Sequence, residues 1–479
     1  MHDDDFERDL ARRLRAYEAN VPAAAAEAKR SRPNGHRFGW LVFAVGGASV
    51  IAAGLLAFVL LRPPNESVGH ASPTELPSLS QSAEPTSSTS PSQTPLETPS
   101  PTVTPLPTPK AGAAEVHWMT QGSVEGQTEV VQRLGDHWYV GGSVRVNEGS
   151  QGAIWRSADG RDWGEPSLLD PEPPARPDVV PEGEIFFPEA YRVSEIAEWQ
   201  GSLYAFGWHH FGCCDGTLSM LWRSEDDGVT WSEVNTEGTA YSGSHFPNAW
   251  WVAGDGSLAL YSATGLGGSG SVFMTSDMET WTEYPIQVPD DRFMTPYTAA
   301  GGTTGGLVVG VEYTYPNGAT APEEAPVMWQ STDGRSWSLV AAPPAAGQLD
   351  AVAWDAEHEQ FVVIGKDAAD QLTAWRSTDL RTWSASSMAG EPATVVDLAA
   401  ADGVIAAIGS IGAPGGNIRT TAWTSYDADV WWVSRLADGA RGGQIGVTLE
   451  GMVAAVSTPS GVEGQTPTGW DAWAGQFAE

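Results

Sequence analysis

Residues 221–231 read LWRSEDDGVTW: an apolar–aromatic pair, a serine, an aspartate two residues later, and a tryptophan five residues beyond that aspartate. Five further stretches follow the same plan with one residue fewer between Asp and Trp. They are IWRSADGRDW (154–163), VFMTSDMETW (272–281), MWQSTDGRSW (328–337), AWRSTDLRTW (374–383) and AWTSYDADVW (422–431). An apolar–aromatic pair suits the end of a buried strand. A carboxylate just beyond it can accept the turn's own backbone N–H groups, and the tryptophan then opens an antiparallel return strand. The difference in spacing leaves the turn geometry open at this point.

A second pattern precedes each cassette. VVQRLGDHWYVGGSV, EIAEWQGSLYAFGW, WWVAGDGSLALYSA, AAGGTTGGLVVGVEY, AVAWDAEHEQFVVIGK and DLAAADGVIAAIGS each place two apolar runs around a short turn, as a hairpin requires, and GVTLEGMVAAVS adds a seventh hairpin with no cassette after it. A supersecondary unit recurring about every 50 residues predicts a propeller or solenoid. The seventh hairpin is followed by GWDAWAG around Trp470 and Trp473, which leaves that unit one strand short. AEVHWMTQG around Trp118 stands where the other units carry their post-cassette strand, so it is expected to complete the last unit and close a ring without an exposed edge. The fold class expected for residues 114–479 is all-β, a seven-bladed β-propeller, with six blades, or eight with one degenerate copy, as the alternatives.

The cassettes resemble the Asp-box, or BNR, repeat of sialidase-like β-propellers, and Ser224, Asp226, Gly228, Thr230 and Trp231 match its pattern S-x-D-x-G-x-T-W in full. The resemblance implies that Asp159, Asp226, Asp277, Asp333, Asp379 and Asp427 are structural turn locks at the blade periphery. It also implies that ligands meet the opposite face, through the loops between second and third strands and between blades. Tyr191, Arg192, His209, His210, Trp250 and Tyr297 fall near those loops and are the ligand-binding candidates. Sialidase chemistry needs several arginines on a carboxylate, a tyrosine beside a glutamate, and an acid–base aspartate. The family's Arg-Ile-Pro signature is absent, and Arg145, Arg192, Arg292 and Arg419 have no spacing that forces them together. The expectation is therefore a binding or sensing module with no assigned catalytic residue and no cofactor; a sialidase-like glycoside hydrolase and a structural scaffold are the alternatives.

Upstream of the repeats the composition changes three times. Residues 40–61, WLVFAVGGASVIAAGLLAFVLL, carry no charge and are long enough to span a hydrocarbon core of about 30 Å, which predicts one transmembrane helix over 39–62. Arg8, Arg12, Arg13, Arg15, Lys29, Arg30, Arg32 and Arg37 precede it, and Arg62 alone follows closely, so the tail 1–38 is expected in the cytoplasm and the C-terminal domain outside. Residues 63–113 are rich in Pro, Ser and Thr and cannot recover the entropy of ordering, as expected of a disordered linker. Few lysines and abundant Ala and Gly suit a high-GC bacterium.

The whole chain of 479 residues carries 25 Lys plus Arg against 60 Asp plus Glu, a net charge of -35, which opposes extended phosphate contact and argues against nucleic acid. The expected partners are the lipid bilayer and an extracellular glycan or protein ligand. Cys213 and Cys214 are adjacent in WHHFGCCDGT beside His209, His210 and Asp215. A strained vicinal disulfide, free thiols and a metal site remain open there; the disulfide is the preferred reading and no metal is assigned.

Overall fold

The computed structural model describes residues 115–477, apart from residue 148 and the segments 172–188, 211–216, 265–269, 290–291, 315–321, 389–392, 413–418, 439–442 and 459–468. The expected tail, membrane helix and linker lie outside the described residues, as do Cys213 and Cys214. Among the described residues no helix is long and apolar enough to cross a membrane.

One long strand, β1 (Val116–Glu125), comes first. It is followed by β2 (Gln127–Leu134), β3 (His137–Val146), β4 (Gly149–Ser157) and β5 (Ser167–Leu168), then by β6 (Ala190–Trp199), β7 (Ser202–His210), β8 (Thr217–Ser224) and β9 (Ser232–Glu233). The next groups are β10 (His245–Val252), β11 (Leu258–Thr264), β12 (Gly270–Thr275) and β13 (Thr282–Pro285), and β14 (Phe293–Gly302), β15 (Gly305–Thr314), β16 (Glu323–Ser331) and β17 (Ser338–Val340). After these come β18 (Ala346–Asp355), β19 (Gln360–Asp367), β20 (Leu372–Ser377) and β21 (Ser384–Ser387), and β22 (Ala393–Ala401), β23 (Val404–Ile411), β24 (Arg419–Ser425) and β25 (Trp432–Asp438). The chain ends on β26 (Gly443–Thr448), β27 (Gly451–Thr458) and β28 (Gly469–Phe477).

Each group pairs its strands antiparallel in chain order, and a single parallel bridge, Ser150 to Ala190, joins the β2–β5 and β6–β9 groups into one sheet. In the closing sheet the order is β26-β27-β28-β1, so the first strand of the domain occupies the outer edge beside the last. Trp118 lies opposite Gly475 and Val124 opposite Trp470. The expectation that the two ends share one sheet is met.

Neighbouring sheets are held together by shared apolar clusters. Val130, Tyr139 and Ile154 pack with Val193, Ile196 and Trp222 across the first two groups; Val308 and Trp329 meet Tyr261 and Val272; Ile364 and Ala374 meet Leu398 and Trp423. A further cluster joins Val131, Trp138 and Trp155 of the β2–β5 group to Val453, Ala455 and Trp470 of the closing sheet. The inner strands β2, β6, β10, β14, β18, β22 and β26 touch in sequence, and β26 returns to β2. Sheets that pack face to face around a common axis make this a β-propeller. The third-strand tryptophans Trp155, Trp222, Trp329, Trp375 and Trp423 are fully buried between sheets. Trp222 Nε1 donates to Asp170 O at 2.7 Å and Trp329 Nε1 to Gln287 O at 3.0 Å, which meets the polar requirement of a buried indole.

The cassette turns are hydrogen-bonded from within. In the short form Asp333 Oδ1 accepts the N–H of Arg335 and of Ser336, both at 2.8 Å, and Trp337 Nε1 donates to Gly334 O at 3.1 Å. Asp159, Asp277, Asp379 and Asp427 likewise accept two N–H groups each. The residue after the aspartate takes a left-handed backbone, with φ of 71° at Gly160 and Gly334, 64° at Met278, 56° at Leu380 and 59° at Ala428. In the longer turn Asp227 and Gly228 share that conformation, and Asp226 accepts from both the N–H and the hydroxyl of Thr230. The extra residue therefore adds a second left-handed position while the bond to the residue before the tryptophan is kept, as Thr382 also gives its N–H and hydroxyl to Asp379 in the short form.

The same turns grip the preceding sheet. Arg156 of β4 pairs with Asp227, Arg376 of β20 with Asp429, and Arg335 with Asp255 at 2.5 Å. Asp333 sits below the ordinary carboxylate range, chiefly through the Ser336 N–H. Such a group stabilises the fold above its unfolded pKa, and the contribution fades as pH falls through the lowered folded value. Asp333→Ala is expected to lower the thermal midpoint by on the order of 2 °C at pH 7, and the gap to the wild type should close toward pH 2 in a calorimetric series. A gap that stays constant with pH would show that the charge of Asp333 adds nothing to the turn.

Candidate binding site: the axial channel

The inner strands run along the propeller axis, and six of the seven are irregular at corresponding places. Register shifts fall between Thr128 and Val130, Val193 and Glu195, Pro247 and Ala249, Pro296 and Thr298, Leu349 and Ala351, and Val395 and Asp397. A bulge leaves one residue out of the ladder and turns its side chain aside. Here the displaced or adjoining side chains reach the next inner strand. Glu129 pairs with Arg192 at 2.8 Å, Ser194 Oγ donates to Pro247 O at 2.7 Å, and Asn248 Nδ2 donates to Tyr297 O at 2.8 Å. Tyr297 Oη donates to Leu349 O, Val395 N–H to Asp350 at 3.2 Å, and Ile445 N–H to Asp397 at 2.9 Å. A belt of polar links thus ties consecutive sheets together around the axis.

Inside the belt lies a cavity of about 420 Å³ to which all seven inner strands contribute. Its distinctive lining groups are Gln132, Glu195, Asn248, Trp250, Trp354 and Asp397. Trp250 Nε1 donates to Gln132 Oε1 at 3.3 Å, and Gln132 Nε2 donates to Glu195 Oε2 at 3.2 Å, a relay across three inner strands. Asp397 also accepts the N–H of Leu398 at 2.8 Å. Burial, and then the charge of Asp397, pushes Glu195 up to about 8. Burial pushes Asp397 up to about 6 against the pull of the Ile445 and Leu398 N–H groups. Asp350 is raised to about 6 by burial, opposed by the Val395 N–H and Gln348.

The candidates from sequence separate into different environments. Tyr191 and His209 face each other across β6 and β7; their rings stack with centroids 4.0 Å apart and 10° between planes, and both are buried. Glu189 serves both, accepting from Tyr191 Oη at 3.4 Å and lying 3.0 Å from His209 Nε2. Burial, with the Glu189 charge second, pushes Tyr191 up to about 12, the reverse of what a nucleophilic phenolate needs. Arg192 is held by Glu129 and lies 5.1 Å from the Trp208 ring centroid. His210 ends β7, half-buried.

Of the aromatic candidates only Trp250 lines the channel; Tyr297 is turned into the belt and packs with the cluster between the β14 and β18 sheets. The three aromatic candidates therefore do not share one surface: Trp250 lines the channel, Tyr191 stacks on His209, and Tyr297 lies in the belt. A register read from alternation cannot register a bulge, and the bulge redirects Tyr297. Arg292 is clamped by Glu312, Arg192 by Glu129, and Arg145 and Arg419 are exposed. The two paired guanidinium groups, of Arg192 and Arg292, answer to different carboxylates, Glu129 and Glu312. Among the described residues no group of three or more His, Cys, Asp or Glu side chains is arranged to hold a metal ion.

Sequence reading missed Gln132, Glu195, Asn248, Asp350 and Asp397. Their signal was present, a polar residue three to six positions before the hairpin turn in predominantly apolar strands, as in VSEIAEW and TVVDLAAA.

No protein-family model matches the chain, and no curated protein matches it in sequence. Among solved structures, the chain is similar to a polysaccharide lyase, the PL25 ulvan lyase, at 11% identity over 74% of this chain and 94% of that one, with a TM-score of 0.46. It is similar to the BP39L lectin from Burkholderia pseudomallei at 14% identity, over 76% and 96% of the two chains, with a TM-score of 0.46. A third is the β-propeller domain of the Trilobed protease from Pyrococcus furiosus, at 10% identity over 74% and 99%, with a TM-score of 0.42.

Proposed function

We propose that this chain is a single-pass membrane protein that displays a seven-bladed Asp-box propeller outside the cell on a Pro/Ser/Thr-rich stalk, and that the axial channel binds a hydroxyl-rich ligand of the glycan class. The observation that carries the ligand reading is the channel itself. Two tryptophan rings, Trp250 and Trp354, share its wall with the amides of Gln132 and Asn248 and the carboxyl groups of Glu195 and Asp397. Indole faces cover the apolar C–H patches of a sugar ring, while amides and carboxyls meet its hydroxyls. The anchor reading is supported by the uncharged run at residues 40–61 and the basic residues before it.

A glycan array probed with the full chain in detergent tests the ligand, and Trp250→Ala is expected to weaken the best hit at least about tenfold. Equal binding by wild type and variant would remove the channel from the reading. Protease added to intact cells tests the topology: loss of the propeller with retention of a fragment containing residues 1–38 is expected. A propeller protected until the cells are opened would refute display outside the cell.

A further inference from the structure

Glu195 and Asp397 stand apart from every other acid of the channel. They line one cavity from different sheets, and among the described residues neither has a cation within ion-pair distance. The charged groups of the surrounding inner strands are already committed. On β2, Glu129 is taken by Arg192 of β6, and Arg133 donates to Ala158 O at 3.1 Å with its guanidinium 5.7 Å from the Trp138 ring centroid. On β18, Asp350 accepts from Val395 and from Gln348 Nε2. The channel walls from β10, β14 and β26 are lined by Asn248, Ala249, Trp250, Thr298, Gln444 and neutral neighbours.

The two carboxyls are also solvated unequally. Asp397 receives two backbone N–H groups at 2.8 and 2.9 Å, which favour its charged form. Glu195 receives one side-chain amide at 3.2 Å. Two partly buried acids lining one confined cavity do not both ionise readily, and the one with fewer donors to its charged form keeps the proton.

We propose that Glu195 is the proton-holding member of a carboxyl pair with Asp397, and that its ionisation is a pH switch on the charge and stability of the propeller's channel. In the protonated state one Glu195 oxygen accepts from Gln132 and the other is an O–H donor facing the cavity. Loss of that proton converts the donor to an acceptor and adds a second negative charge to the cavity that Asp397 also lines. The inference concerns the channel whatever the channel binds, so a failed ligand screen leaves it standing. Burial and the neighbouring charge both act in the same direction on Glu195.

The sign follows from linkage. A carboxyl held protonated in the folded state above the pH at which it ionises in the unfolded chain lowers stability progressively as pH rises through that window. Thermal unfolding of the full chain and of Glu195→Gln should coincide at pH 4 and separate on the way to pH 9, the variant ending at least about 3 °C higher. In the Asp397→Asn background the same substitution should separate the curves less. Parallel curves from pH 4 to pH 9 would overturn the proposal. If Glu195→Gln does not fold, infrared spectroscopy of the wild type decides: a protonated-carboxyl band at pH 7 that vanishes by pH 9 supports it, and no such band at pH 7 overturns it.

Discussion

Removal of Val116–Glu125 is expected to lower the thermal midpoint of the propeller by more than about 10 °C and to drive the protein into oligomers. The strand supplies the whole outer edge of the closing sheet, matched to Gly469–Phe477 from Val116↔Phe477 through Glu125↔Gly469 with one irregularity at Thr120/Gly122. Each ladder hydrogen bond contributes about 1 kcal/mol net, and buried Val116 with the partly buried Trp118 adds roughly 2 kcal/mol each through the cluster shared with Ile445, Val447 and Met452. The total is of the same order as the stability of an ordinary domain. Deletion also exposes the unpaired N–H and C=O groups of β28, a template for a second chain. Calorimetry and light scattering read both effects. A monomer with an unchanged midpoint would mean that the ring is held by sheet-to-sheet packing alone.

The reason that the closure could be read from sequence, while the channel could not, lies in the range of the interactions. A cassette is a local device: Ser331, Asp333 and Trp337 bond within their own turn, so their spacing alone reports the geometry. A hairpin is equally local, and every expected hairpin is found between paired strands. Closure needed one further step, a count of strands per unit that left Trp118 and Trp470 as complementary remainders. The belt is different. Asp397 and Ile445 are distant in sequence, and Asp397 reaches its partner because the ladder slips between Val395 and Asp397. A slip of one residue turns the side chains that follow to the opposite face, so alternation misplaces them. Tyr297 is displaced by such a slip and its hydroxyl meets a main-chain carbonyl, whereas Tyr191 lies before the slip of its strand and stacks on buried His209, a cross-strand pairing that its position next to a loop does not report.

A recurring glycine records the bulges from the opposite strand, and its replacement should carry the next largest cost after loss of β1. Gly142, Gly207, Gly310, Gly365 and Gly409 each sit on the second strand facing the point where the first strand slips. There the bulged strand brings a backbone carbonyl over the position that a side chain would occupy. At Gly365 an added Cβ would lie well inside contact distance of Gln348 O, and at Gly409 the same holds for Thr394 O; at Gly310 the nearest atom, Thr295 O, would be 2.6 Å away. Backbone cannot rotate aside as a side chain can, so the strand pair must part. Gly365→Ala and Gly409→Ala are expected to cost on the order of 4 kcal/mol, and Gly310→Ala less. Gly164→Ala, where no atom would come within 4 Å, should be nearly neutral. The third sheet carries buried Ser262 opposite Pro247, so the clash depends on how closely each bulge approaches and is not imposed on every sheet. Denaturant titration of the alanine series gives the ranking directly. If Gly310→Ala proves as costly as Gly365→Ala, carbonyl approach is not what selects glycine. If all are mild, the bulged strands give way under load and the belt that positions Glu195 and Asp397 is softer than its bonds imply.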